Sequence, residues 1–353
     1  MMEKQKFLII LAAFFLLLLA ACGGGQNGEA DGAETESTET ESTDTDQTSE
    51  TEEATNENDE SYLVGVSQIV QHPSLDNATE GFKAALEESG LNVEFDEQNA
   101  QGDQNNVRNI VNNFISSEAD LIFANATPMA QGALAATQDI PVVFTSVTDP
   151  VGAELVESLE APGGNVTGTT DLAPDAMQKS VDFMANELGA QSIGMVYSAG
   201  EQNSVRQVEL AQAAAKEAGV TIEEATVATS ADVLTSAESL VGKVDAFYIV
   251  TDNTVVSALE SVIQVAEDNG IPLFVGELDS VDRGGFGGFG FSYHDIGYAA
   301  GEMAAAILEG EDPADVPVQT PQSLKLTLNK GAAERMGVEW KDEWDDLAED
   351  IIE

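Results

Sequence analysis

From residue 62 onward the chain alternates short apolar runs with longer amphipathic stretches. YLVGVSQIV (62–70) predicts a strand, and the loop His72-Pro73-Ser74-Leu75-Asp76 leads to a helix over 77–89 that stops at Gly90. Residues 93–96 predict a strand, 105–115 a helix, LIFANA (121–126) a strand, 129–137 a helix and PVVFTSV (141–147) a fourth strand. The pattern then starts again. SIGMVYS (192–198) reads as a strand, 204–218 as a helix ending at Gly219, 221–227 as a strand and 231–241 as a helix. AFYIVT (246–251), a helix over 254–269 before Gly270, and PLFVGEL (272–278) complete the second series. Fully apolar strands that alternate with helices imply parallel sheets covered on both faces. The fold class is therefore α/β, with two doubly wound parallel-sheet lobes. NVTGTT (165–170), short and β-branched, predicts a crossover strand. A second crossing is placed at 276–280, ahead of a Gly/Phe-rich stretch (284–291), a helix (295–308) and a late strand (323–328). Lobe one then comprises 61–168 and 280–318, lobe two 169–279 and 319–353, joined by a multi-strand hinge that absorbs rotation on closure.

The first sixty residues have a different texture. A charged start (Glu3, Lys4, Lys6) precedes fifteen uncharged apolar residues, 7–21, and then Cys22, the only cysteine of 353 residues. Fifteen helical residues reach ~22 Å of a ~30 Å hydrocarbon layer, so a cleaved secretory signal fits better than a spanning helix. Cys22 directly after Leu19-Ala20-Ala21 resembles a bacterial lipobox, which implies that residues 1–22 carry the signal and that Cys22 is the lipidated first residue of the mature chain. Localisation would then be extracytoplasmic, with a lipid anchor in the cell membrane. Residues 23–60 hold fourteen Asp or Glu, no Lys or Arg and no aromatic residue. Such a segment has too little apolar surface to offset its ordering entropy and reads as a disordered acidic tether.

The formal net charge is −51, and residues 61–353 alone carry 49 acids against 11 bases, a net of −38. A surface this acidic excludes nucleic acid and anionic lipid as partners. It also implies self-repulsion that salt relieves, as in proteins of high-salt organisms. With no cysteine beyond Cys22, stability rests on packing rather than on disulfides.

In a parallel α/β sheet, ligands sit beyond the carboxyl ends of the strands. The residues following those ends are polar: Ser74 and Asp76 after the first strand, Thr127 after the third, Thr148 and Asp149 after the fourth. In the second half they are Ser198, Asn203 and Ser204, then Asp252, Asn253 and Thr254. Each alone is the residue type that caps a helix at ~1 kcal/mol. Five such ends converging on one cleft point to a ligand, with capping and binding able to coexist. Catalytic patterns are missing: there is no G-x-S-x-G, H-E-x-x-H, Walker loop or paired-cysteine site, and His72 and His294 lie far apart. No enzyme activity, metal or cofactor is therefore expected. His72 reads as a residue shaping its turn, the 284–290 glycine run as a packed segment with Phe289, Phe291 or Tyr293 as possible cleft walls, and Trp340 and Trp344 as packing residues.

The stretches HPSLD (72–76), ATP (126–128), TDPVGA (148–153), PGGNVTG (162–168) and DNT (252–254), in this order, resemble the tryptophan/tyrosine-type substrate-binding lipoproteins of ABC importers over 62–335. The resemblance implies a type I periplasmic-binding-protein fold and capture of an amino acid, commonly aromatic, between the lobes. It implies delivery to an ABC permease with its cytoplasmic ATPase by a monomeric, membrane-anchored protein, and it carries ligand contact onto the eleven residues named above. Physical reasoning adds that a buried ammonium wants a carboxylate, which Asp252 or Asp149 is placed to supply, and a buried carboxylate wants amides and hydroxyls such as those at Thr127 or Asn203-Ser204. A sugar or nucleoside binder, or a ligand-sensing subunit, is the alternative on the same fold. Against a sugar site stand the few arginines and the lack of a tryptophan near a strand end.

Overall fold

The computed structural model describes residues 61–353; the signal segment with Cys22 and the tether expected over residues 1–60 fall outside the described residues. The first sheet follows from the first apolar series: β1 (Ser61–Gln68), β2 (Asn92–Asn99), β3 (Leu121–Asn125), β4 (Val142–Val147) and β5 (Val166–Thr170), all parallel, in the order β2-β1-β3-β4-β5. Helices α1 (Pro73–Ser89), α2 (Gln104–Ser116) and α3 (Thr127–Ala136) provide the crossovers. β3, β4 and β5 are buried along their whole length. One face packs Phe114, Met129 and Ile122, and the other packs Phe82 on Phe123 with ring centroids 3.9 Å apart.

The second sheet is built from β6 (Ser192–Ser198), β7 (Thr221–Val227), β8 (Ala246–Ile249) and β9 (Leu273–Val275). Around them run α4 (Ala176–Asn186), α5 (Gln202–Ala218), α6 (Val233–Leu240), α7 (Asn253–Val256) and α8 (Leu259–Asn269), followed by α9 (Leu278–Asp282). It continues through β10 (Gly287–Gly290) and, after α10 (Tyr293–Leu308), through β11 (Lys325–Asn329), α11 (Lys330–Arg335), α12 (Trp344–Leu347) and β12 (Asp350–Ile352). The order is β12-β11-β10-β9-β8-β6-β7, with β10 and β11 antiparallel. Trp344, only 1 % exposed, closes this core against Phe183 and Phe286 at 5.8 and 5.5 Å. Among the described residues no helix is long and apolar enough to cross a membrane.

The lobe boundaries differ from the sequence expectation. β5 completes the first sheet, so the first crossing follows Thr170 rather than residue 168. β10 lies between β9 and β11, so 280–290 belong to lobe two and the chain returns to lobe one at 291–292, not at 276–280. A strand of sequence GGFG shows no apolar run. Its glycines are needed because a side chain at Gly288 would meet the Val275 carbonyl oxygen. The third crossing follows Gln319, which bridges Thr169 in lobe one, and precedes β11. Helix α10 packs on lobe one along α1, and the two helices approach so closely that a Cβ at Gly297 would strike the Ala78 carbonyl oxygen.

Three local departures have direct causes. α1 begins at Pro73 rather than at 77, because proline suits the first helical turn and holds His72 extended (φ −159°, ψ 159°). The helix expected over 254–269 breaks at Ser257-Ala258, where Arg283 Nη1 takes the Val256 carbonyl at 2.9 Å. β9 ends at Val275, which leaves Glu277 at the carboxyl end of the strand.

Candidate functional site

The carboxyl ends of both sheets meet at the junction of the lobes and close around a small cavity of about 10 Å³. It is walled by Leu75, Val256 and Tyr293 and carries His72, Ser146, Asp171, Thr251, Asn253 and Glu277. The lobes are in contact around it. Arg206 Nε of α5 lies 3.1 Å from Asp149 Oδ2, Gln207 Nε2 donates to Thr148 Oγ1 at 3.0 Å, and Asn77 Nδ2 of α1 donates to Asp279 Oδ1 of α9 at 2.7 Å. A wider opening of about 500 Å³ lies toward the outer strands, lined by residues of both lobes that include Val70, Asp103, Pro128, Ser198, Glu201 and Thr254.

The enclosed cavity is acidic, and no Lys or Arg lines it. Asp171, directly after β5, accepts from Thr148 Oγ1 at 2.9 Å and from Tyr293 Oη at 3.0 Å. Burial still pushes its pKa up to about 6, against the pull of these hydroxyls and that of Thr251. Glu277 is 2 % exposed and accepts from Ser280 Oγ at 2.6 Å; its pKa is raised by burial, with Ser280, Ser74 and Arg283 opposing. Desolvation, and then the charge of Arg283, lower His72 to about 4, so its imidazole is neutral near pH 7. His72 Nδ1 and Ser146 Oγ are buried without a hydrogen-bond partner in the described structure. Ser146 holds φ 56° and Ala126, whose amide donates to Thr145 O, holds φ 89°. Left-handed backbone at two non-glycine residues on adjacent strand ends costs roughly 1–3 kcal/mol each, and such strain concentrates at ligand sites. At the first turn of α1 the Ser74 and Leu75 amides have no intrahelical acceptor, and Leu75 lines the cavity.

The eleven residues singled out in the sequence divide by lobe and by role. Thr148 reaches the cavity chemistry through Asp171, and Asn253 lines the cavity itself. Ser74 is fully buried, close enough to Glu277 and Asp279 to lower both, yet in no good hydrogen-bond geometry. Asp76 points elsewhere. It accepts from Gln68 Nε2 at 2.8 Å and borders a surface groove with Glu80 and Lys83. Thr127 is buried at the head of α3 with its hydroxyl unpaired, away from the cavity lining.

Asp252, expected to meet an ammonium, is engaged by the backbone instead. Its Oδ2 accepts from Ser198 N at 2.6 Å and its Oδ1 from Val255 N at 2.7 Å, and it lines neither opening. Burial and then the charge of Glu201 raise its pKa. Asp149 is half-buried, capping Gly152 N at 2.8 Å and facing Arg206, so it ties the lobes rather than holding a ligand amine. Ser204 lies close enough to Asp252 to favour its charged form, and Asn203 Nδ2 donates to Thr251 O at 3.0 Å while its Oδ1 is unpaired. Thr254 and the Asn253 amide are wrapped by the buried Glu201 carboxylate. In lobe two, capping therefore accounts for most of these residues.

Sequence reasoning missed Asp171, Glu277, Ser146 and Thr251. The strand-end rule would have reached Asp171 had 165–170 been read as a strand of the first sheet rather than as a crossover, and Glu277 had β9 been ended at Val275 rather than at residue 278. Among the described residues no cluster of three or more His, Cys, Asp or Glu is arranged to hold a metal ion.

Residues 63–352 match the model of the ABC transporter substrate binding protein family. The chain belongs to that family. Among its relatives, the tyrosine-binding protein of Clostridioides difficile is 43 % identical over 272 residues, which is 76 % of this chain and 78 % of that one. A Streptococcus pneumonia ABC domain solved in complex with L-Trp is 34 % identical, covers 83 % of this chain and 100 % of its own, and superposes with TM-score 0.79. The ligand-free, open structure of a Clostridium difficile substrate binding protein with adhesive properties is 37 % identical, covers 82 % and 99 %, and gives 0.62. At near-equal identity the better superposition is on the complex. In the present arrangement the three contacts named above hold the lobes together.

Proposed function

We propose that this substrate-binding protein captures a free amino acid with an aromatic side chain between its lobes and delivers it to the permease of an ABC importer. The observation that carries the reading is the pair of buried carboxyls, Asp171 and Glu277, facing an enclosed cavity with no cation in its lining. An ammonium supplies the missing charge, and leaving it unpaired there would cost several kcal/mol, so the acids select for an amine. The free Ser74 and Leu75 amides, the positive end of α1 and the Ser146 hydroxyl suit a carboxylate. Leu75, Val256 and Tyr293 offer apolar surface to the side chain, worth ~1.5–3 kcal/mol when fully buried. The tyrosine-binding and L-Trp-bound relatives support the aromatic preference.

In this reading the protein is monomeric and not an enzyme. It is held outside the cell membrane by a lipid on Cys22, with residues 23–60 as its tether and an acidic body suited to high salt. Calorimetric titration with L-tyrosine, L-tryptophan, L-phenylalanine, sugars and nucleosides tests the ligand class. Indole-3-propionate, which lacks only the amine of tryptophan, is expected to bind at least a hundredfold more weakly. An equal affinity for it, or a response to sugars alone, refutes the reading. Incorporation of labelled palmitate that Cys22→Ser abolishes checks the anchor.

A further inference from the structure

We propose that Gln207 is a positioning residue that couples closure of the lobes to the charged state of Asp171. This rests on the amino-acid reading above and deepens it. Gln207 lies on α5 of lobe two and is 3 % exposed. Its Nε2 donates to Thr148 Oγ1 of lobe one at 3.0 Å and to Thr251 Oγ1 of lobe two at 2.5 Å, while its Oε1 accepts from the Thr251 amide at 3.3 Å. The backbone amide settles the orientation of the side chain. An N–H can only donate, so Oε1 faces it, and the NH₂ group faces the two hydroxyls. Each hydroxyl oxygen then acts as an acceptor toward Gln207, and its single proton is free to point the other way.

The Thr148 proton points at Asp171. Thr148 Oγ1 donates to Asp171 Oδ1 at 2.9 Å, and Thr251 also stabilises that carboxylate. Donors aimed at a carboxyl favour its ionised form, which an ammonium ligand requires. Thr148 and Gln207 sit on opposite lobes, so their bond exists only when the lobes are closed. Opening frees the Thr148 hydroxyl to turn, weakening the hold on the charged acid at the step in which ligand leaves. The other groups acting on Asp171 come from both lobes, Tyr293 and His72 from lobe one and Thr251 and Glu277 from lobe two. Tyr293 donates to its Oδ2, Glu277 and the neutral His72 share the cavity, Asp279 adds negative charge felt by Tyr293, and Arg283 acts on Glu277 and His72.

The test is calorimetric titration of L-tyrosine and L-tryptophan into wild type, Gln207→Ala and Gln207→Glu from pH 5 to 8. The Glu variant keeps the shape but removes the donor. Arg206→Ala, which breaks the half-exposed bridge to Asp149, is the comparison for a simple tie between lobes. Both Gln207 variants are expected to lose about tenfold or more in affinity at pH 7.5, and the pH at which affinity falls away is expected to move up by about one unit. Arg206→Ala is expected to leave that pH in place. The effect of Gln207→Ala is expected to be non-additive with Thr148→Val, because the two act through one bond. Wild-type affinity in both Gln207 variants, or a loss uniform across pH, overturns the inference while leaving the amino-acid reading intact. Wild type that binds none of the aromatic amino acids overturns both.

Discussion

Asp171→Asn is expected to move stability and affinity in opposite directions. In the ligand-free protein the burial of Asp171 raises its pKa from 3.8 to about 6. A carboxyl whose folded pKa is raised contributes stability that is fully present below its unfolded pKa and is lost as pH rises through its folded pKa. The raise of about two units corresponds to roughly 3 kcal/mol of destabilisation above pH 6, at ~1.4 kcal/mol per unit. Asparagine removes the charge and keeps the shape. Its oxygen can accept from Thr148, while its NH₂ requires the Tyr293 hydroxyl to turn and act as acceptor, so the recovered stability is smaller, about 1–2 kcal/mol. For a protein of this size that is a melting shift of a few degrees. Differential scanning calorimetry of the ligand-free variant should therefore show a higher melting temperature than wild type at pH 7.5 and no gain near pH 4, where wild-type Asp171 is protonated. In the same samples, affinity for L-tyrosine or L-tryptophan should fall by at least a hundredfold, because the ammonium loses a buried partner. A variant that binds as tightly as wild type, or one that melts lower at pH 7.5, would refute the assignment of Asp171 as the buried acid that the ligand amine neutralises.

Wild-type affinity should hold steady above pH 7 and fall as pH drops through about 6, since binding must then expel the proton from Asp171. Titrations in buffers of different ionisation enthalpy should detect up to one proton released. Gly297→Ala sets a methyl against the Ala78 carbonyl oxygen where α10 meets α1, and should cost about 1–3 kcal/mol in denaturant unfolding without altering ligand choice. Trp344→Ala empties the aromatic contact with Phe183 and Phe286 and should cost about 3–5 kcal/mol, again with affinity retained in whatever fraction stays folded. The melting temperature should rise between dilute buffer and molar NaCl, because the net −38 of residues 61–353 repels itself until salt screens it. A flat salt response would show that the acids are already compensated.

The two-lobed architecture was legible because apolar periodicity is a local property. Each parallel strand buried on both faces announces itself within five to eight residues, and the edges of β6 and β7 agree with the pattern to the residue. What failed was any element whose reason lies in a neighbour. β10 is a strand because β9 and β11 flank it at glycine-sized distance, not because GGFG favours one. The break between α7 and α8 comes from Arg283, about two dozen residues downstream of it in the chain.

The binding site divides in the same way. Sequence alone determined that polar residues crowd the strand ends, that the body is strongly acidic, and that the chain is two α/β halves with a hinge. Tertiary structure decided which of those polar residues face the cavity. Asp252 and Asp171 are both aspartates just after strands, and composition cannot separate them. Packing turns Asp252 onto the Ser198 and Val255 amides, while Asp171 is left facing a cavity with only hydroxyl donors around it. A carboxylate's role is set by what solvates it once water has gone, and only the folded chain supplies that.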